Sequence, residues 1–188
     1  MDPIFSLPYA EYAVANQLAN YFKHSKGYSL FLPLSRQEKG IDLVLIKRNR
    51  KLTKIITIQV KASRTYSPKP PKKGNSKRYS FYTWFNRFTV QDNADLFVLI
   101  GLYPPIKGRS KKMSNWWDSI ILVFNNKEMI DFLKNVKTKK GSTDKMFGFG
   151  FDNKDDIFQT RGDKNREFKN YSDYLLKNRI DSISNLLK

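Results

Sequence analysis

The chain has 188 residues, 35 Lys and Arg against 17 Asp and Glu, one His and no Cys, for a formal charge of +18. Without Cys there is no disulfide scaffold, no Cys-ligated zinc site and no thiol catalysis, and a single His excludes a two-His metal site within one chain. Hydrophobic residues make up 40% and aromatic residues 14% of the chain, enough to build a core and argue against wholesale disorder.

The spacing predicts a first helix over Leu7 to Lys23, with Ser6 as N-cap, Pro8 in the first turn and a buried stripe of Val14, Leu18, Tyr21 and Phe22. Glu11 lies three, four and seven residues before Val14, Ala15 and Leu18, so its carboxylate falls on or beside the apolar face. Gly27 is placed as a C-cap glycine, and His24 as a surface residue near the helix end. Three strands follow: Tyr28 to Leu32, Ile41 to Lys47 and the β-branched run Lys54 to Ser63. Arg48, Asn49, Arg50 and Lys51 form the turn between the last two. The stretch 64–78 is read as a loop. It holds Arg64, Lys69, Lys72, Lys73, Lys77 and Arg78 without one acid.

Further along, Tyr79 to Phe85 is an aromatic strand and Asp95 to Leu102 an apolar one, with Trp84, Phe85 and Phe88 read as core. A second basic loop, 103–115, carries Lys107, Arg109, Lys111 and Lys112. Asp118 to Phe124 is another strand, and Asn126 caps a helix over Lys127 to Lys137. Phe147, Phe149 and Phe151 alternate with Gly and suggest a short strand. A last helix spans 173–187 after Ser172, with a stripe of Leu176, Ile180, Ile183 and Leu187. These elements are expected to form a single domain, residues 1–188. The longest apolar run, Leu96 to Leu102, is too short to span a bilayer. The N-terminus shows no basic segment followed by an apolar one, so an intracellular, cytoplasmic protein without a membrane partner is expected. A surface this positive points to a polyanion, nucleic acid first, because each neutralised phosphate releases counterions.

One arrangement carries chemistry. Asp42 opens an apolar strand, and Gln59, Val60 and Lys61 stand in the middle of the next. Period-two geometry sets Gln59 and Lys61 on one face, where a buried amide and amine need partners. Asp42 on the neighbouring strand is the expected partner, with Glu11 joining from the helix. Carboxylate, amide and backbone carbonyl oxygens are hard ligands that suit magnesium or manganese. A lysine beside such an ion can orient or deprotonate a water and stabilise developing charge.

With Glu11 on the leading helix, then Gly40-Ile41-Asp42-Leu43-Val44, a hairpin turn and Ile58-Gln59-Val60-Lys61-Ala62-Ser63, the chain resembles the PD-(D/E)xK nuclease superfamily in a Q-x-K form, over about its first hundred residues. The resemblance implies an α/β fold with a restriction-endonuclease-like core, a central four- or five-stranded mixed sheet flanked by helices. It implies divalent-metal-dependent DNA cleavage, with Asp42, Gln59, Lys61 and Glu11 as catalytic positions. Asp42, Gln59, Glu11 and the carbonyl of Val60 would hold Mg or Mn. Arg48, Arg50, Lys51 and the two basic loops would meet the DNA. The second acidic position is Gln here and no Pro precedes Asp42, so the site has one negative charge fewer; Glu38 in the preceding loop is a candidate replacement. Cutting both strands calls for two sites, so a symmetric homo-oligomer is expected. Two alternatives stand beside this reading: a module of the same fold that binds nucleic acid without cutting it, and a basic RNA-associated protein with no active site.

Overall fold

A computed structural model of the chain describes residues 9–33, 39–49, 52–67, 79–103, 118–165 and 167–188. Helix α1 (Tyr9–Tyr21) buries Ala10, Val14, Ala15 and Leu18. Phe22 is buried just beyond it, but Tyr21 is exposed, so the apolar stripe is narrower than its spacing suggests. Ser6 lies outside the described residues. The chain then makes a short 3-10 turn, His24–Lys26, which Gly27 ends in the left-handed region at φ 82°. A Cβ on Gly27 would sit 2.6 Å from the Arg48 carbonyl oxygen, so backbone contact as well as conformation demands glycine there.

Strands β1 (Tyr28–Phe31), β2 (Leu43–Arg48) and β3 (Thr53–Tyr66) form an antiparallel meander. Asn49 and Leu52 close the β2–β3 hairpin by exchanging backbone hydrogen bonds of 2.8 and 3.3 Å. Strand β3 then pairs in parallel with β5 (Leu96–Tyr103), and β5 pairs antiparallel with β6 (Asp118–Asn125). The parallel junction is pinned at its start: Thr57 N–H donates to Asp95 Oδ2 at 2.8 Å, and Asp95 N–H to the Thr57 carbonyl at 3.0 Å. That pin sets Gln59 opposite Phe97 and Lys61 opposite Leu99.

The end of β3 enters a second set of strands. Thr65 and Tyr66 pair with β4 (Phe81–Asn86), which continues through β7 (Met146–Phe151) to β8 (Phe158–Arg161). The eight strands thus make one mostly antiparallel sheet with a single parallel pair, and together with the helices an α/β fold. Helix α2 (Asn126–Lys134) is opened by a reciprocal capping box between Asn125 and Glu128, so the cap is Asn125 and not its neighbour Asn126. Helix α3 (Leu176–Leu186) follows a 3-10 turn at Ser172–Tyr174. Ser172 does not cap it, because its hydroxyl accepts the Ile157 N–H at 3.1 Å.

Alternation along the central strands separates two apolar clusters. Ile56, Ile58 and Val60 of β3, with Leu96, Val98 and Ile100 of β5, face α1 and α3. Phe97, Leu99 and Tyr103 face the other way, toward Phe85, Phe147, Phe149 and helix α2. All four expected stripe residues of α3 belong to the first cluster, Ile180 at its margin. Arg179 ties α3 to the cap of α2 through a 2.6 Å ion pair with Glu128. Among the described residues no helix is long and apolar enough to cross a membrane.

Candidate active site and nucleic-acid surface

Strand β2 stops at Leu43, opposite Ile58, while β3 runs on. The Asp42 N–H donates to the Ile58 carbonyl at 2.9 Å, and Val60 is left without a strand partner on that edge. The Asp42 carboxylate takes that role: Val60 N–H donates to Asp42 Oδ2 at 2.7 Å. The turn before Asp42 is held from the other side by Asn93, whose Nδ2 donates to the Lys39 carbonyl at 2.8 Å. A half-buried carboxylate therefore sits at the edge of β3 against the residue between Gln59 and Lys61.

Gln59 and Lys61 point toward the aromatic cluster, as their pairing with Phe97 and Leu99 requires. Gln59 is only 5% exposed, and its Oε1 is buried without a hydrogen-bond partner. Lys61 is half-buried with its Nζ over the Phe88 ring, 5.2 Å from the centroid. The expected pairing of Gln59 and Lys61 with Asp42 is not made, because Asp42 serves the strand edge and the lysine lies on an aromatic face. Glu11 is half-buried in the first turn of α1, a helix that packs on the Ile58 and Val60 side of the sheet. The structure therefore brings Asp42, Gln59, Val60 and Lys61 together on adjoining residues and places Glu11 on the helix of the opposite face. Glu38 lies outside the described residues.

Asp42, the Gln59 amide oxygen and the Val60 carbonyl are one charged and two neutral hard oxygens, a set that suits Mg or Mn better than a soft metal. The orphaned Gln59 Oε1 fits such a role, since a buried acceptor without a partner costs about 1–3 kcal/mol. Among the described residues no three His, Cys, Asp or Glu side chains gather around one point. Gln59→Leu should raise the melting temperature by a few degrees, at about 2–4 °C per kcal/mol for a chain this long, and abolish any metal response. Gln59→Glu should keep the fold and tighten Mg binding, because a carboxylate holds a hard cation better than an amide. Calorimetry and Mg titration of the three proteins check both; identical melting and identical Mg curves would remove Gln59 from the site.

Of the expected DNA-contacting residues, Arg48 and Arg64 are exposed on β2 and β3. Arg50, Lys51, Lys69, Lys72, Lys73, Lys77, Arg78, Lys107, Arg109, Lys111 and Lys112 lie outside the described residues. The structure adds Lys47 and Lys54, which face each other across the β2–β3 ladder beside Arg48. Like charges directly opposite destabilise a ladder, and a polyanion would relieve them. The signal was open to view: residues 43–91 contain thirteen Lys and Arg and no Asp or Glu. Several acids elsewhere are paired, among them Asp118 with Lys154 and Asp144 with Arg161. Burial pushes the Asp144 carboxyl up, but hydrogen bonds from Arg161 and the Met146 N–H outweigh it and hold its pKa below the ordinary carboxylate value. The stabilisation that Asp144 contributes is therefore present at neutral pH and lost as pH falls through that lowered value.

The chain matches no known family model, no curated protein and no solved structure.

Proposed function

We propose that this protein is a divalent-metal-dependent DNA endonuclease with a restriction-endonuclease-like core, active in a restriction, homing or repair setting. The observation that carries the reading is the Asp42 carboxylate bonded to Val60 N–H, at the edge of β3 between Gln59 and Lys61. The mixed five-stranded portion β1–β2–β3–β5–β6, with helices on both faces, supports it. One departure is that the crossover from β3 to β5 carries strand β4, and no helix among the described residues.

Asp42, Gln59 Oε1 and the Val60 carbonyl would hold the ion, which when bound polarises a phosphoryl oxygen and lowers the pKa of a water. Lys61 follows Val60 in the strand, with the Phe88 ring against its amine. It would hold or remove a proton of the attacking water and stabilise negative charge on the phosphate. Arg48 and Arg64 would hold flanking phosphates. A symmetric homo-oligomer would supply the second site needed to cut both strands.

The test is incubation of supercoiled plasmid with the protein and Mg, Mn or chelator. Nicking in either metal and none in chelator is expected. Binding without cleavage in any metal would replace this reading with a non-cleaving nucleic-acid-binding module, which the single carboxylate among the described residues at the site and the position of Glu11 favour. Binding itself should be steeply salt-dependent: about six phosphate contacts give a log–log slope near −5. A flat dependence from low to physiological ionic strength would remove nucleic acid as the partner.

A further inference from the structure

The outward face where β3 meets β4 is aromatic where a solvent-facing sheet is ordinarily polar. Tyr66 of β3 and Trp84 of β4 are 50% and 43% exposed, and their rings stack at 5.6 Å with an interplanar angle of 29°. Tyr82, half-buried, is the cross-strand partner of Tyr66 and shares that face. Trp84 is opposite Gly148 of β7. A Cβ on Gly148 would lie 2.1 Å from Trp84 Cδ1, so the glycine lets the indole lie down on the sheet. Ser63 Oγ donates to the Trp84 carbonyl at 2.5 Å, which fixes this strand to β3.

Charge accompanies the rings. Trp84 and Tyr82 line a cavity of about 420 Å³ with Lys137, Lys139 and Arg161. The acids there are Asp144, bonded to the Arg161 guanidinium at 3.1 and 3.2 Å, and Asp163. Arg64 is exposed on the same face of β3 as Tyr66, two residues before it. Stacked, exposed aromatic rings on a sheet beside cations are what unpaired bases and their phosphates require, and a duplex with its bases stacked inward cannot use the rings.

We propose that the Tyr66–Trp84 face binds unpaired bases of single-stranded DNA. This rests on the reading of DNA as the partner, and it narrows the substrate to DNA with a single-stranded or opened segment. Tyr66 is five residues from Lys61 along β3, about 17 Å at the rise of a strand. The odd spacing sets the two side chains on opposite faces of β3, so a strand held on the rings does not lie over the Lys61 side chain.

The experiment is fluorescence anisotropy in chelator, so that it does not depend on cleavage. The probes are a labelled oligothymidylate of about 12 nucleotides, a blunt duplex and the matching oligouridylate. Trp84→Ala should weaken oligothymidylate binding roughly 5- to 150-fold, the range for losing one base stack, and leave duplex binding within about twofold. Trp84→Phe should restore most of the loss. Tyr66→Ala, at a more exposed position, gives the same test if Trp84→Ala does not fold. Wild-type affinity in both alanine variants, or equal loss on single strand and duplex, would overturn the proposal. Tighter, equally Trp84-sensitive binding of the oligouridylate would overturn its assignment to DNA. Failure of plasmid nicking in every metal would end the endonuclease reading without touching these results.

Discussion

Lys61→Ala is expected to lower Mg-dependent plasmid nicking by at least about 100-fold, the usual minimum for losing a proton-transferring group that also stabilises charge. The lysine lies on a buried-to-exposed boundary of β3, with its amine over Phe88 and its backbone inside a parallel ladder with Leu99. Alanine there removes the amine and keeps the strand. DNA affinity in chelator should stay within about fivefold, the most that one partly exposed charge is worth. Asp42→Ala should be equally inactive for a different reason. It removes the one carboxylate that the described residues bring to Val60 and strips Val60 N–H of its acceptor, so it should also unfold at lower temperature. The two variants together separate chemistry from architecture: Lys61→Ala should melt like wild type and Asp42→Ala should not. Lys61→Ala protein that nicks at the wild-type rate would exclude the proposed role of Lys61.

The largest stability effect is expected at Phe149. Its side chain is fully buried, with ring centroids at 5.5 Å to Tyr171, 5.9 Å to Phe132 and 6.5 Å to Phe85. Phe149→Ala leaves a cavity that these rings cannot fill by collapse, because they belong to three different segments of the chain. A loss of about 3–5 kcal/mol follows, or roughly 6–20 °C of melting temperature at about 2–4 °C per kcal/mol. Ile55→Ala, at a 57% exposed position, is the control. It should change stability by less than about 0.5 kcal/mol. Urea and thermal unfolding of both check this; equal melting of the two variants would mean that the second cluster is not a core.

Strands with strong β-branched or apolar runs were legible in the sequence, and helix α1 was legible from its apolar spacing. The Ile41–Lys47 and Lys54–Ser63 runs fall on β2 and β3 within a few residues. The Phe147–Phe151 alternation is β7, its three phenylalanines inward and its glycines outward. Strand β8 went unseen because Phe158–Arg161 is four residues long, flanked by acids and a glycine, and holds its place by pairing with β7. Trp84 was expected in the core. Its composition gives no warning otherwise; only the distant Gly148, brought opposite by strand pairing, explains why the indole lies outside. The same limit applies to the site. That Asp42 stands beside the Gln59–Lys61 segment could be read from two neighbouring strands. That Asp42 would bond Val60 N–H could not, since it depends on β2 stopping at Leu43. The face on which α1 packs, and with it the position of Glu11, is likewise a tertiary outcome.

Strand β3 has fourteen residues and pairs with β2, β5 and β4 in turn. It is therefore the one strand whose release requires both halves of the sheet to part. Regions that open locally exchange their amide protons readily, whereas those shared between cooperative units exchange only when the whole molecule opens. Gln59 and Lys61, whose backbones lie in the middle of the ladder with β5, belong to the second kind. Their amides should outlast those of α1 and β8 in deuterated water. The backbones of Gln59 and Lys61 then stay fixed throughout the native lifetime of the protein, and any backbone adjustment needed to seat a scissile phosphate falls to the turn that carries Asp42 or to the nucleic acid.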